Sequence, residues 1–219
     1  LSQLVRTAFV APDGHLFAVA DYSAIEARVI SWLANEEWRM DVFNGDGKIY
    51  ESTGSKMFNV PIDQIKKGSE LRQKSKISEL ALGYGGAIGA LKQMGGEKMG
   101  LAEEEMGQLV RKWRGVNPKI VRLWSDLEQA AKTAIMHSTQ ITCTPRNLVF
   151  DYDGEFLSLL LPSGRKLYYY KPIIENNRIK YKGVNQETKQ FCYVDTYGGK
   201  LTENAVQARS EEHTSELQS

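Results

Sequence analysis

The hydrophobic pattern of this chain changes at Gln140, and that change constrains the fold more than any other feature. Residues 36–135 are rich in helix-forming residue types, whereas later segments are short, apolar and separated by turns such as Asp153-Gly154. Helices followed by a run of strands are typical of the α+β class. We expect strands at 141–143, 148–152, 155–161, 166–170 and 191–196, and a last helix over 201–208.

A carboxylate stands where an earlier strand is expected to end. Residues 15–20, HLFAVA, follow a turn at 12–14 and predict a buried strand that leads directly into Asp21. A helical pattern begins at Ser23. Rigidly placed carboxylates suit a pair of Mg²⁺ ions about 4 Å apart. Alternatively, Asp21 only turns the chain, and Glu26 only completes a capping box with Ser23.

Four residues recur at every fourth position of one expected helix. Ser69 is expected to cap this helix, which covers residues 70–82. Side chains four apart drift by only about 40° per step and share one stripe. Such a stripe could bind a nucleoside triphosphate, with its cations at the phosphates and its apolar residues at the base. Alternatively, it is a solvated charged face over core residues. Its members are Arg72, Lys76, Leu80 and Tyr84.

Two further segments mix basic and aromatic side chains. Residues 111–125 contain five basic residues, two tryptophans and no acid, and residues 165–182 contain six basic residues and four tyrosines. Such mixtures suit contact with phosphates and stacking on bases. Each is equally compatible with a solvated face over a core, so both interpretations stay open. A helix start is expected at Asn117-Pro118.

The composition argues against several classes of protein. No apolar run approaches the roughly 20 residues of a membrane span, and no signal-peptide pattern is present. Two distant cysteines, Cys143 and Cys192, give no disulfide framework, and three scattered histidines do not predict zinc. The formal net charge of +1 neither requires nor excludes a nucleic-acid partner, because local patches decide.

Both ends of the chain suggest a fragment. It begins at Leu1 without a methionine and continues at once into sequence typical of a folded domain. Residues 209–219, RSEEHTSELQS, resemble a translated sequencing adaptor, so we expect the native sequence to stop at or near Ala208. The alternative is an ordinary disordered acidic tail.

Two motifs together resemble one protein family. DYSAIEARVISWLA, residues 21–34, resembles motif A of the family A DNA polymerases, and RQKSKISELALGYGG, residues 72–86, resembles their motif B, R-x3-K-x7-Y-G. Order and separation also fit. RTAF at 6–9 and TYGGKLTEN at 196–204 are similar to phage-type members. The resemblance covers nearly all of residues 1–208.

The resemblance implies an incomplete right-hand polymerase with an antiparallel palm sheet and a helical fingers insertion. Residues 1–35 and 136–208 would form the palm, 36–135 the fingers, and 209–219 the non-native tail. Primer-template DNA and deoxynucleoside triphosphates would be the partners, two Mg²⁺ ions the cofactors, and no membrane would be involved. Accessory proteins stay unknown. The location would be cytoplasmic, in the host if a phage encodes the protein.

The resemblance also implies roles for individual residues. Asp21 would bind both metal ions, helped by the backbone carbonyl of Tyr22. Glu26 would exclude a ribose 2′-hydroxyl, working against Tyr84. Arg72 and Lys76 would hold the triphosphate, and Lys76 would protonate the departing pyrophosphate. The helix over 70–82 would close on a correctly paired nucleotide.

Four further positions complete the expected site. Leu80 would contact the nucleotide, although the family usually has Phe or Tyr there, which leaves sugar discrimination open. Tyr50 takes the place of a triphosphate-contacting histidine. Gln207 and Gly85 would contact DNA, Gln207 in the minor groove near the primer end. Motif C, a His-Asp-Glu segment, is expected beyond Ala208, so we expect this piece to have little or no polymerase activity.

Two other functions are compatible with the sequence. One is a non-catalytic DNA-binding module derived from the polymerase fold. The other is a helical nucleotide-binding protein built around residues 66–86, which would bind triphosphates without a primer-template. The dependence of nucleotide binding on DNA discriminates between the last possibility and a polymerase.

Overall fold

The structure, a computed structural model, describes residues 8–18, 23–143 and 145–216, with residues 211–216 described by their backbone only. Within these residues, eight α-helices and six strands confirm the α+β class. The helices are α1 (Ile25–Ala34), α2 (Glu37–Asn44), α3 (Ile49–Phe58), α4 (Glu70–Leu82), α5 (Ile88–Gln93), α6 (Glu103–Val116), α7 (Pro118–His137) and α8 (Gly198–Glu216). The strands are β1 (Ile141–Cys143), β2 (Leu148–Tyr152), β3 (Phe156–Leu160), β4 (Lys166–Glu175), β5 (Arg178–Val184) and β6 (Phe191–Thr196).

Helix α4 begins and ends as its sequence predicts. The Ser69 hydroxyl accepts a hydrogen bond of 3.3 Å from the backbone N–H of Arg72, which satisfies one free donor of the first turn. The helix ends at Leu82, before the glycines that begin at Gly83. The expected cap and the expected range, 70–82, are therefore both confirmed.

Helix α7 begins at Asn117-Pro118 as expected, but a different side chain caps it. The carboxylate of buried Glu36 accepts from the backbone N–H groups of Lys119 and Ile120, at 2.8 and 3.3 Å. An acid is favourable there, because the helix dipole and the free N–H groups both attract negative charge. Glu36 thereby ties the start of α7 to the chain segment between α1 and α2.

The six strands form one antiparallel sheet in sequence order, a meander. Strand β4 continues to Glu175, beyond the expected 166–170, and β5 was not expected. The turn between them contains Asn176 and Asn177, both with positive φ, at 50° and 60°. Asparagine tolerates this conformation, which two-residue hairpins require, so the Asn-Asn pair was a readable hairpin signal.

One strand prediction is wrong over the described residues. Residues 15–18 form no strand, and Leu16 is almost fully exposed. An apolar run becomes a strand only when a neighbouring strand pairs with its backbone, and no described strand lies beside this segment. Positions 19 and 20, the rest of the predicted strand, lie outside the described residues.

Helix α7 forms the centre of the hydrophobic core. It packs against α1, α8 and one face of the sheet, with Leu127 and Ala131 fully buried on the helix and Phe150 and Leu157 fully buried on the sheet. Burial of these side chains supplies the main favourable term for folding. In the part of the chain that the structure describes, no helix has the length and apolar character of a membrane span.

The expected division into palm and fingers stays a prediction. Helix α7 ends at His137 and β1 begins at Ile141, close to the predicted boundary between the two, and α8 extends through the expected tail to Glu216.

Candidate functional site

A cavity of about 270 Å³ lies between helix α1 and helix α4. Side chains from both helices meet there with others from α3 and α6. The cavity is lined by three residues of the predicted stripe and gate, Glu26, Leu80 and Tyr84, and also by Tyr50. The remaining lining residues are Ala24, Ile25, Ala27, Ile30, Arg39, Glu79, Gly83 and Trp113.

Glu26 and Tyr84 contact each other at this cavity, although they are far apart in sequence. The Tyr84 hydroxyl donates to Glu26 Oε2 at 3.3 Å. Burial, followed by the charge of Glu26 and this hydrogen bond, raises the pKa of Tyr84 strongly. The phenol is therefore a stable donor to the carboxylate over the physiological pH range.

The alternative role for Glu26 as half of a capping box is wrong. Helix α1 begins at Ile25, and its N-cap residue is Ala24 rather than Ser23. Glu26 is then the second helical residue, whereas a capping box needs an acid at the third. Ala24 has a φ of 54°, an uncommon conformation for alanine, and no side chain caps the helix.

Two close backbone contacts fix the position of Tyr84. The Trp124 indole N–H donates to the carbonyl of Gly83 at 3.0 Å. On the other side, a Cβ on Gly199 would lie only 2.2 Å from the Tyr84 carbonyl oxygen, so only glycine allows this approach. Helices α7 and α8 thereby hold the end of the predicted motif B in place.

The two cations of the stripe differ in their surroundings. Arg72 Nε lies 2.5 Å from Glu51 Oε1, and its guanidinium carbon lies 5.5 Å from the centre of the Tyr50 ring. Lys76 is exposed and forms no ion pair with a described residue. Leu80, one turn further along, is 49% exposed at the edge of the cavity. The stripe is thus a solvent-accessible face that leads toward Tyr84.

Tyr50 joins the cavity to the cationic end of the stripe. Burial raises the pKa of its phenol, with a smaller contribution from the charge of Glu79. The ring lines the cavity and also lies beside Arg72. A phenol at this position can donate a hydrogen bond to an anion bound by that arginine.

Asp21 and Tyr22, the predicted metal ligands, lie outside the described residues. Among the residues that are described, no group of three or more His, Cys, Asp or Glu side chains is placed to hold a metal ion. The metal site therefore stays a prediction.

Neither of the two predicted DNA contacts lines the cavity. Gln207 is exposed on α8, where its amide donates to Glu203 Oε1 at 3.3 Å. It lines a second cavity, of about 290 Å³, with residues of β4 and β5. Gly85 has a φ of 76°, and a Cβ built on it would lie 3.5 Å from the Tyr197 ring.

Sequence reasoning missed a buried polar network in the wall of the cavity. Arg39 donates to both carboxylate oxygens of Glu79, at 2.8 and 2.6 Å. Thr53 and Trp113 also donate to Glu79 Oε1, each at 2.8 Å. Glu79 lies four residues after the buried Ser75, on the same side of the helix, and only the structure shows that this side is buried.

The same arginine extends this network to two more elements. Its Nε donates to the Ser31 hydroxyl at 2.8 Å, and Nη1 donates to Asn117 Oδ1 at 3.0 Å. Arg39 therefore connects the helix of predicted motif A to that of predicted motif B and to the start of α7. These contacts set the relative position of the two helices that enclose the cavity.

The tryptophans of segment 111–125 belong to the core. Trp113 and Trp124 are buried and stack with their ring centres 6.2 Å apart and their planes within 7°. Stacking on a base is therefore not available to either ring. The structure thus contradicts base stacking by these two rings, whereas contact of the exposed basic residues with phosphates stays a prediction.

Comparison with known proteins shows similarity to DNA polymerases over most of the chain. The family model for DNA polymerase family A matches residues 1–150. The DNA polymerase of Bacillus phage SP02 is 51% identical over 214 residues, covering 95% of this chain and 33% of the phage protein. The chain thus spans about a third of the length of that relative.

Bacterial and structural similarities are more distant. DNA polymerase I of Pseudomonas aeruginosa is 36% identical over 95 residues, which cover 43% of this chain and 10% of that protein. The thermostable DNA polymerase I of Thermus aquaticus is 32% identical over 124 residues, covering 57% and 14%. A solved structure described as the POL domain of Pol1 from M. smegmatis in complex with DNA primer-template and dNTP gives a TM-score of 0.48 at 18% identity. It covers 85% of this chain and 25% of that one.

Proposed function

The chain belongs to DNA polymerase family A, and from this premise we propose that it forms the nucleotide-binding part of a template-directed DNA polymerase. The reaction is attack of the primer 3′-oxygen on the α-phosphorus of a deoxynucleoside triphosphate, with pyrophosphate as the leaving group. One observation carries the proposal. Glu26 and Tyr84 meet in a cavity that Leu80 also lines, and Leu80 lies four residues after Lys76 and eight after Arg72 on α4.

The cationic part of the stripe suits the triphosphate. Arg72 already holds the carboxylate of Glu51, and this supports a role for its guanidinium in binding an oxyanion. A triphosphate would replace that carboxylate or share the arginine with it. Lys76 extends into solvent one turn away, where its ammonium would neutralise the phosphates and donate a proton to the departing pyrophosphate.

The Glu26–Tyr84 contact suits selection of the sugar. A deoxyribose would leave the hydrogen bond between these two side chains intact. A ribose 2′-hydroxyl placed against Glu26 would compete with the Tyr84 donor and crowd the cavity. Leu80 would supply apolar contact without an aromatic ring, so stacking there is weaker than on Phe or Tyr.

The donor set of the predicted metal site suits Mg²⁺. Asp21 and the carbonyl of Tyr22 would provide hard oxygen ligands of the kind this ion prefers. Bound Mg²⁺ would lower the pKa of the primer hydroxyl and neutralise charge on the phosphates. In this chain, Arg72 and Lys76 orient the triphosphate for that chemistry.

We also propose that the parent protein replicates a phage genome in the host cytoplasm. Similarity to the SP02 phage polymerase over 95% of the chain supports this. No His-Asp-Glu segment occurs in the 219 residues. We therefore expect little or no primer extension by this chain alone, and robust extension with Mg²⁺ and the four deoxynucleotides would contradict that expectation.

Nucleotide binding to the 219-residue chain tests the proposal directly. Calorimetric titration with dATP and Mg²⁺, with and without a primer-template, should show binding that Arg72→Ala and Lys76→Ala each weaken by about tenfold. Lys98→Ala, an exposed lysine outside the site, is the matched control. Unchanged dATP affinity in both stripe variants would overturn the assignment, and binding indifferent to DNA would favour the simple nucleotide-binding protein.

Two further variants test the chemistry in a polymerase that contains this chain. Asp21→Asn should abolish synthesis while DNA binding survives. Glu26→Ala should admit ribonucleotides, seen as a smaller ratio of kcat/KM for dATP over ATP. An unchanged ratio would contradict the role of Glu26 as a gate.

A further inference from the structure

One face of the six-stranded sheet faces solvent and carries aromatic rings. Directly paired residues of adjacent strands lie on the same face, and Phe156, Tyr170, Lys182 and Tyr193 are paired in this way across β3, β4, β5 and β6. Alternate positions, such as Ile179, are buried. Successive strand residues of segment 165–182 therefore point alternately into the core and to an exposed surface.

Five rings form this surface, which we call the aromatic face: Phe156, Tyr168, Tyr170, Phe191 and Tyr193. The ring centre of Phe156 lies 5.0 Å from that of Tyr170 and 6.2 Å from that of Tyr168. Tyr170 continues the row to Phe191 at 6.5 Å. Tyr168 and Phe191 are each 62% exposed and Tyr193 is 41% exposed, so their surfaces are available to a ligand.

Three lysines accompany these rings, and the charge of an acid, Glu155, acts on one of them, Lys171. The Nζ of Lys171 lies 5.3 Å from the centre of the Tyr170 ring, and that of Lys182 lies 5.6 Å from the centre of the Tyr193 ring. Lys166 lies two residues before Tyr168 on the same face. None of the three forms an ion pair with a described residue, whereas Lys180 and Arg178 are paired with Glu175 and Asp195.

We propose that the aromatic face binds single-stranded DNA. Unpaired bases stack on exposed rings while adjacent lysines contact the phosphates, a combination that requires no particular base sequence. Duplex DNA offers no free base faces to such a row. An apolar protein partner would gain little from three lysines, none of which is held in an ion pair with a described residue, so the charge of the face favours a polyanion.

The position of the face indicates which strand it binds. Beyond β6, Tyr197 is 50% exposed, and its ring lies next to Gly85 at the end of the candidate nucleotide site. Strands β3 to β6 lie beyond residue 150, where the match to the family model ends. On the proposed polymerase function, on which this assignment rests, the strand bound here would be the unpaired template approaching the site.

Fluorescence anisotropy with a labelled oligothymidine of about 20 nucleotides tests this on the 219-residue chain. Tyr168→Ala and Tyr193→Ala should each weaken binding about fivefold or more, since a base–ring stack is lost. Tyr168→Phe should bind like the parent, because it keeps the ring. Lys182→Gln should reduce the slope of the logarithm of the binding constant against the logarithm of the salt concentration by about one, as expected for the loss of one phosphate contact.

Matched controls separate this surface from the nucleotide site. Met136→Ala and Lys98→Gln change exposed residues away from the face and should leave oligothymidine binding unchanged. The tyrosine variants should keep dATP affinity at the parent level, so failure of this proposal and failure of the proposed function are distinguishable.

Four results would overturn the proposal. They are no oligothymidine binding by the parent chain, equal binding by Tyr168→Ala, equal competition by duplex DNA, and binding by Tyr168→Leu as tight as that of Tyr168→Phe. The last would show an apolar docking surface for a protein rather than a stacking surface for bases.

Discussion

Replacing Arg39 by methionine would leave the carboxylate of Glu79 buried without its cation. Their side chains are 1% and 3% exposed, and two hydrogen bonds of 2.8 and 2.6 Å join them. The substitution also leaves oxygen acceptors on Ser31 and Asn117 without the donor they now have. Two neutral donors would remain on Glu79, which is too few to replace an opposite charge.

We expect Arg39→Met to lower the free energy of unfolding by about 3–5 kcal/mol, the usual cost of removing one partner of a buried ion pair. With an m-value of about 2 kcal/mol/M, the urea midpoint would fall by about 2 M. Urea titration followed by tryptophan fluorescence measures this. Trp113 donates directly to Glu79, so its emission reports on the network itself.

A second substitution and a surface pair serve as controls. Adding Glu79→Leu to Arg39→Met should restore part of the lost stability, because no unpaired charge then remains buried. Arg122→Met, which breaks an exposed pair with Asp126 at 3.5 Å, should cost less than about 0.5 kcal/mol. A loss below about 1 kcal/mol for Arg39→Met, or a double variant no more stable than the single one, would refute the reasoning.

Three more predictions follow from other contacts. Burial raises the pKa of the Cys143 thiol from its ordinary 9.0 to about 11, so the neutral thiol stabilises the fold below pH 9.0 and this contribution is lost as the pH rises toward 11. At pH 8 a disulfide reagent should label Cys192 quickly and the buried Cys143 only after unfolding. Equal labelling rates for the two cysteines would contradict this prediction. Glu36→Gln should cost about 1 kcal/mol in urea unfolding, since it removes the charge that caps α7, and an unchanged midpoint would count against that cap. Gly199→Ala should cost about 1–3 kcal/mol and weaken dATP binding, because the new methyl group must displace the Tyr84 carbonyl; normal binding would show that the contact relaxes without consequence.

Local patterns were enough to predict several elements. The bounds of α4 and its Ser69 cap depend on hydrogen bonds within a single helical turn, so the local sequence is enough to predict them. The start of α7 at Asn117-Pro118 is of the same kind. The contact between Glu26 and Tyr84 agrees with the resemblance to motifs A and B, although neither periodicity nor composition predicts it.

The sequence by itself determined most helical and extended segments, because backbone hydrogen bonding and the spacing of apolar residues are local properties. It did not predict β5, and it wrongly predicted a strand over residues 15–18. Only the tertiary structure decided which side of each segment is buried. It placed Glu79 against Arg39 and turned Trp113 into the core, while leaving Tyr168 exposed on the sheet. The physical reason is that burial depends on the element packed against a face, and that neighbour comes from a distant part of the chain.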